Sequence, residues 1–371
     1  MLKMPRFKSA VLVGLFVLST APGCFFQKSV PVKPISIELV SPELLRCGKL
    51  EILWQNQLPI KQTENLRDLF ILGGRIYGLS DHNYMVSLNR EDGNIVFSKS
   101  VAGVGFRALG LHLYKDQISS IIGDRMIEID PKSGTVLYGM SLDFGVVCPL
   151  ARNSSYYYLS GTDRRLHTYR AEDKVQVFDV AAENYSMIIS VVADDRFVVF
   201  ATEVGDVICI APDRPKRLWS FNAAGGIVGP IVKDEDSLFF ACKDTSVYKL
   251  NILTGEILWK YQAGAVLDIA PQVTQDVVYQ YVRYKGLAAI DKKSGTFLWQ
   301  LPEGIDLLAE AGGKAYVITN VGTLVVMDNK KAKQLYSVNF APVSKYVTNV
   351  ADSKIYIADN SGRIACLRPI E

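Results

Sequence analysis

The sequence predicts an all-β fold, an eight-bladed β-propeller with four-stranded blades, its ring closed by an N-terminal strand joining the C-terminal blade. Three observations carry this. A bulky aromatic closes a repeated unit as Trp54, Phe97, Tyr138, Phe178, Trp219, Trp259, Trp299 and Tyr336, at a spacing near forty residues that belongs to repeat architectures. Each unit contains enough alternating, turn-bounded runs for four strands, the complement of one propeller blade. The chain ends are complementary: seven full units finish at Tyr336, three strands follow near 346–349, 354–357 and 363–367, and the missing fourth lies at Leu50 to Trp54. An eighth blade built from both ends leaves no dangling sheet edge.

The N-terminal residues read differently. Lys3, Arg6 and Lys8 precede an apolar run, Ala10 to Leu18, too short to span a bilayer, so 1–23 reads as an export signal. Cys24 follows Ala21-Pro22-Gly23 and resembles the cysteine of a bacterial lipobox, with Ala21 where leucine is usual. Cys24 is therefore the expected lipid attachment, with ordinary cleavage near Ala21 or an uncleaved anchor as the alternatives. Residues 24–48, with Pro31, Pro34 and Pro42, are expected to form a lipid-anchored tether, and 49–371 the propeller.

Within each blade the last two strands form a hairpin, as in Val247 to Leu250 and Glu256 to Trp259. Between them runs Asp/Asn-x-x-Ser/Thr/Asp-Gly, clearest at Asp130 to Gly134, Asn251 to Gly255 and Asp291 to Gly295, and present at Asn89 to Gly93. The first side chain can accept a backbone N–H two residues on, and the glycine can take the positive φ that closes a short loop. These are turn residues, not ligands. Decay of the motif fits that role: Pro215 and Ala332 replace the glycine, and Arg170 to Lys174 keeps only the spacing. Pro149, Pro230 and Pro271 recur in what reads as the first strand of a blade, for example Val266 to Val273. Proline is tolerated there only on an edge, so this strand is expected to line the central channel.

Composition narrows the function. With 49% hydrophobic residues the chain can build a large core as one propeller domain. Cleavage before Cys24 would leave equal numbers of basic and acidic residues, so no attraction to nucleic acid is expected. Cys47, Cys148, Cys209, Cys242 and Cys366 contain no CxxC and no adjacent pair. They read as single buried thiols, with a Cys47–Cys366 clasp as the alternative. His82, His112 and His167 fall at unrelated slots in different blades, which argues against a metal site. Trp54, Trp219, Trp259 and Trp299 share their slot with Phe and Tyr, as inter-blade packing would.

The run Ala-x-Asp-x-x-Ser/Thr-Gly-x-x-x-Trp, best seen in the copies ending at Trp259 and Trp299, resembles the repeat of quinoprotein dehydrogenase-like eight-bladed propellers, named for pyrroloquinoline quinone (PQQ). The resemblance spans 49–368, and within that superfamily the chain is most similar to the BamB-type outer-membrane assembly lipoproteins. Its enzymatic branch implies a bound calcium, a catalytic aspartate and a vicinal disulfide. This sequence has no Cys-Cys pair, and its connections are short, as at Thr202 to Gly205, Lys243 to Ser246 and Asn320 to Gly322. The expectation is therefore a non-catalytic, monomeric envelope scaffold without cofactor or metal, outer-membrane-anchored and facing the periplasm, whose partner is a β-barrel assembly subunit. A PQQ-dependent or other redox enzyme, and a lipid-anchored binding module for another envelope ligand, are the alternatives. The partner-contacting loop of the BamB type is an apolar, arginine-containing segment ahead of an innermost strand. Its one counterpart here is Val104-Gly105-Phe106-Arg107, which makes Phe106 and Arg107 candidate contact residues; the other reading puts Phe106 in the core.

Overall fold

The computed structural model describes residues 38–370. Among them, eight four-stranded antiparallel sheets follow one another along the chain. Blade 1 comprises Leu66–Leu72, Arg75–Ser80, Tyr84–Asn89 and Ile95–Ser100; blade 7 comprises Gly304–Ala311, Lys314–Thr319, Thr323–Asp328 and Lys333–Asn339. Blades 2 to 6 lie between them with the same up-and-down order. Blade 8 takes Lys345–Val347, Ile355–Ala358 and Arg363–Pro369 from the C-terminal end and Leu50–Gln57 from the N-terminal end. Leu50 pairs with Pro369, Trp54 with Cys366 and Gln57 with Arg363, so the ring closes as the sequence predicts.

The hairpin motif has a single geometric cause. Opposite the closing aromatic, the ladder between third and fourth strands slips by one residue, at Ser87/Leu88, Cys209/Ile210 and Ala289/Ile290 for example. A short loop that ends in a left-handed residue and feeds a bulge produces this pattern. Gly93, Gly134, Gly255 and Gly295 hold that residue at φ 69–75°, and each donates its N–H to the carbonyl of the Asp or Asn four residues back at 2.8–2.9 Å. Lys174 and Ala332 adopt positive φ in the same slot without being glycine. The strand Leu50–Gln57 carries the slip too, at Ile52/Trp54, although no turn precedes it.

Eight apolar clusters of buried side chains fill the gaps between blades. Each joins the second to fourth strands of one blade to the next blade's second and third strands, as Trp259 and Phe239 of blade 5 meet Val278 and Ile290 of blade 6. Burying both faces of every sheet in this way is what stabilises a closed repeat ring.

Three expectations are corrected. Residues 38–48, the end of the expected tether, are folded onto the propeller. Ser41 and Pro42 start a short α-helix, Pro42–Cys47, and Leu39, Val40 and Leu45 are buried between blades 7 and 8. Gly48 permits that contact, since a Cβ there would lie 2.3 Å from Val338 Cγ2. Pro149 and Pro271 stand just before the two-residue strands Ala151–Arg152 and Gln272–Val273, and only Pro230 lies within a first strand, at a register slip of Ile227–Asp234. Lacking an N–H, proline shortens or bulges the strand it adjoins. The first strand is nonetheless an edge of every sheet. Finally, the short connections at 202–205, 243–246 and 320–322 join strands within a blade, whereas the segments between blades vary, from 302–303 to the longer 101–111, 142–150 and 263–271.

Candidate functional site

The repeat residues assemble into locks between blades. Each motif glycine of one blade lies flat against the closing aromatic of the preceding blade. A Cβ on Gly93 would stand 2.4 Å from Trp54, on Gly134 2.4 Å from Phe97, on Gly255 2.5 Å from Trp219 and on Gly295 2.8 Å from Trp259. The indole N–H then donates into the same turn: Trp54 to the Arg90 carbonyl, Trp219 to Ile252, Trp259 to Lys292 and Trp299 to the Asn329 side chain, at 2.9–3.1 Å. Within the turn, Asp130, Asn251 and Asp291 accept backbone N–H groups at 2.7–3.0 Å. Glycine thus meets two demands at once, a left-handed backbone and contact with a neighbouring ring, and the polar partners are consumed inside the turns.

The titratable groups are dispersed. Among the described residues no three His, Cys, Asp or Glu side chains converge as a metal site would require. His82 pairs with Asp81 at 2.8 Å. His167 pairs with Asp163 at 3.0 Å while stacking on Phe144 at 3.9 Å. His112 is held neutral at pH 7, since burial and the nearby Arg152 cation both lower its pKa. Cys47, Cys148, Cys209, Cys242 and Cys366 are free thiols, Cys47 exposed and the rest buried. Burial pushes Cys148 and Cys242 up to about 11 and Cys209 and Cys366 up to about 12, which keeps them protonated and unreactive at neutral pH. Cys24 lies outside the described residues.

The two ends of the propeller differ in what they show to solvent. Antiparallel order puts the first hairpin turn of every blade, and the last one of blades 1 to 7, at one end, the turn face. The middle turns and the segments between blades lie at the other, the connection face. Exposed apolar side chains in turns and connections concentrate on the connection face: Val104, Phe106, Tyr185, Val204, Tyr284 and Val321, with Tyr284 96% and Val321 70% exposed. On the turn face the corresponding side chains include Leu253 and Val350. Apolar area gathered on one surface marks a binding face more often than chance exposure does.

Two of these segments, those of Phe106 and Tyr284, are tied to the propeller by hydrogen bonds. Val104 to Arg107 is exposed throughout, and Phe106 is half-exposed instead of lying in the core. Asn83 Nδ2 of blade 1 donates to the Gly103 and Phe106 carbonyls at 2.7 and 2.8 Å, and the Phe106 ring covers Gly123, where a Cβ would come within 2.6 Å. The Arg107 carbonyl accepts the Gly123 N–H at 3.2 Å. Tyr284 sits at the tip of the middle turn of blade 6 with φ 62°, an unusual backbone for a bulky residue. Neighbouring bonds fix that turn: Arg283 pairs with Asp268 at 2.6 Å, Lys285 Nζ donates to the Ala263 carbonyl at 3.1 Å, and Gln300 donates to the Lys285 carbonyl at 2.7 Å. Nothing in the repeat pattern marks Tyr284; the only sequence signal is a large aromatic between Arg283 and Lys285 in a turn.

Residues 127–303 match the family described as outer membrane protein assembly factor BamB. No curated protein sequence matches the chain. Among solved structures, BamB from Moraxella catarrhalis aligns at TM-score 0.67 and 14% identity over 86% of this chain and 97% of that one. The computationally designed Ika8 protein aligns at TM-score 0.66 and 14% identity over 85% and 99%. The chain is accordingly an eight-bladed β-propeller, similar in sequence over residues 127–303 to the BamB family and in fold to a BamB crystal structure.

Proposed function

We propose that this protein is a non-catalytic scaffold of the bacterial cell envelope, BamB-like, that assists assembly or insertion of outer-membrane β-barrel proteins through contacts made by its connection face. In this reading 1–23 is removed on export, Cys24 carries the lipid, and the propeller stands off the outer membrane on the periplasmic side. The observation that carries it is the one-sided display of Phe106, Tyr284 and Val321 on braced turns. Rigid aromatic anchors ringed by polar residues are what protein interfaces use. Phe106 and Arg107 are the proposed contact pair of blade 2. The resemblance of residues 127–303 to BamB supports the choice of partner.

Purification of the full-length chain from membranes should bring a β-barrel assembly subunit with it, and Phe106→Ala combined with Tyr284→Ala should abolish that recovery without lowering the melting temperature. Recovery undiminished in the double variant contradicts the assigned face. Turnover of a dye by the protein loaded with calcium and PQQ contradicts the non-catalytic reading. Replacing Cys24 by Ser should move the protein from the membrane to the soluble fraction; continued membrane association would mean that something else anchors it.

A further inference from the structure

The outer strand of each blade is a sheet edge, and an edge invites another strand unless charge or a bulge blunts it. Six of the eight outer strands carry a charged residue, such as Lys99 in Ile95–Ser100, Asp179 in Gln176–Ala181 and Lys260 in Ile257–Gln262. Val136–Ser141 of blade 2 and Phe297–Leu301 of blade 6 carry none. In blade 2 a cavity of 120 Å³ lies one strand in from that edge, walled by Ala102, Phe106, Ile122 and Ile127 and charged at Asp124 and Arg125. Gly139 stands opposite Ile127 in the ladder, and Ser141 opposite Arg125. Where Gly139 lacks a side chain the Arg125 guanidinium lies against the outer strand, 2.7 Å from the place a Cβ would take.

These features select one kind of occupant. Alternate residues of an edge strand turn their N–H and C=O groups outward, and no backbone group outside blade 2 bonds those of Val136–Ser141 among the described residues. An extended chain is what completes such a row. The cavity has the size of a single aliphatic side chain. Arg107 and Arg125 make no ion pair among the described residues, and Asp124 is the one carboxylate in the cavity wall, so the arginines favour an acidic residue in whatever docks there. We propose that blade 2 binds an extended polypeptide by strand addition along Val136–Ser141, with an aliphatic side chain of the partner in the Phe106 cavity and a carboxylate of the partner on Arg125. This rests on the reading of Phe106 as a contact residue and names the form of chain that it contacts.

The probe is a fluorescein-labelled, C-terminally amidated decapeptide of alternating valine and threonine with one leucine next to a glutamate, titrated into the full chain by anisotropy. Methylating alternate peptide nitrogens removes the donors an added strand needs and should weaken binding at least about tenfold. This comparison uses unaltered protein, so it does not depend on how a variant folds. Phe106→Ala and Arg125→Gln should each weaken binding about three- to tenfold, and since both side chains are exposed their melting should match the parent's. Hydrogen exchange should show new protection over 136–142 and none over 297–301, the other uncharged edge. Equal binding of the methylated peptide, or protection elsewhere, overturns the proposal. So does a dimer of the chain that Leu137→Lys dissolves, because the edge then belongs to a second copy. No binding by the parent, while an assembly subunit still accompanies it from membranes, overturns strand addition alone and leaves the scaffold reading standing.

Discussion

At the scale of single residues, two kinds of contact set the energetics, the turn glycines against aromatics and the buried hydroxyls against the next blade. Gly255→Ala forces a left-handed backbone on an L-residue, at about 1–2 kcal/mol, and drives a methyl group into Trp219; chemical denaturation should show a loss at least that large. Ala332 already carries this strain at φ 51°, so Ala332→Gly should raise stability, by up to about 1 kcal/mol. Tyr279→Phe strips partners from Glu310 and Asn329 and should cost about 1–3 kcal/mol, a result that an unaltered unfolding midpoint would contradict. Asp306 sets a pH dependence. Burial between blades 7 and 8 pushes its carboxyl up to about 6, against the lowering effect of hydrogen bonds from Leu307, Tyr346 and Thr348. The folded state therefore binds more protons than the unfolded one between about pH 4 and pH 6, and this group's contribution to stability falls as pH rises through that window. Asp306→Asn should flatten that slope and gain stability at pH 7; an identical stability-versus-pH curve for the variant would show that Asp306 is not its source.

At the scale of elements, the hairpin is the unit that the sequence spells out most plainly. A left-handed position, an Asx-type side chain and an aromatic four residues after the glycine all fall at fixed offsets, because one bulged loop dictates all three. The first strands were harder to read. Their proline and glycine content follows from being an edge at the channel, where pairing is short and bulged, so a continuous strand over 266–273 overestimates what Gln272–Val273 forms. The helix Pro42–Cys47 was hidden in a proline-containing stretch, although Ser41, Pro42 and Gly48 are ordinary start and stop signals for a helix. Its burial is a matter of tertiary packing: Leu45 fills the groove beside Val338 and Phe340. Leu45→Ala should cost about 2–5 kcal/mol, measurable by urea unfolding. A solvated tether would tolerate that change without loss.

At the scale of the whole molecule, the closed ring explains why so much polar chemistry leads to no reactive cluster among the described residues. Aspartates and asparagines of the motif are bonded within turns, indoles are bonded across blades, and the buried thiols are held protonated. What remains available to solvent is the outer strands, with Leu137, Leu258 and Phe297 exposed, and a pair of dissimilar ends. Ring size and closure were legible because they depend on a repeated local pattern and on the complementarity of the two termini. The connection face was legible only at Val104 to Arg107, since exposure of Tyr284 or Val321 follows from where a turn ends up in three dimensions and leaves no periodic trace. The account's central claim is that this face, and not the turn face, engages an envelope polypeptide. A photo-crosslinking phenylalanine analogue placed at Tyr284, Val321 or, as the control, Leu253 tests it directly in intact cells. The expected result is a discrete protein adduct from Tyr284 and Val321 and none from Leu253; adducts from Leu253 alone, or from no position, would contradict it.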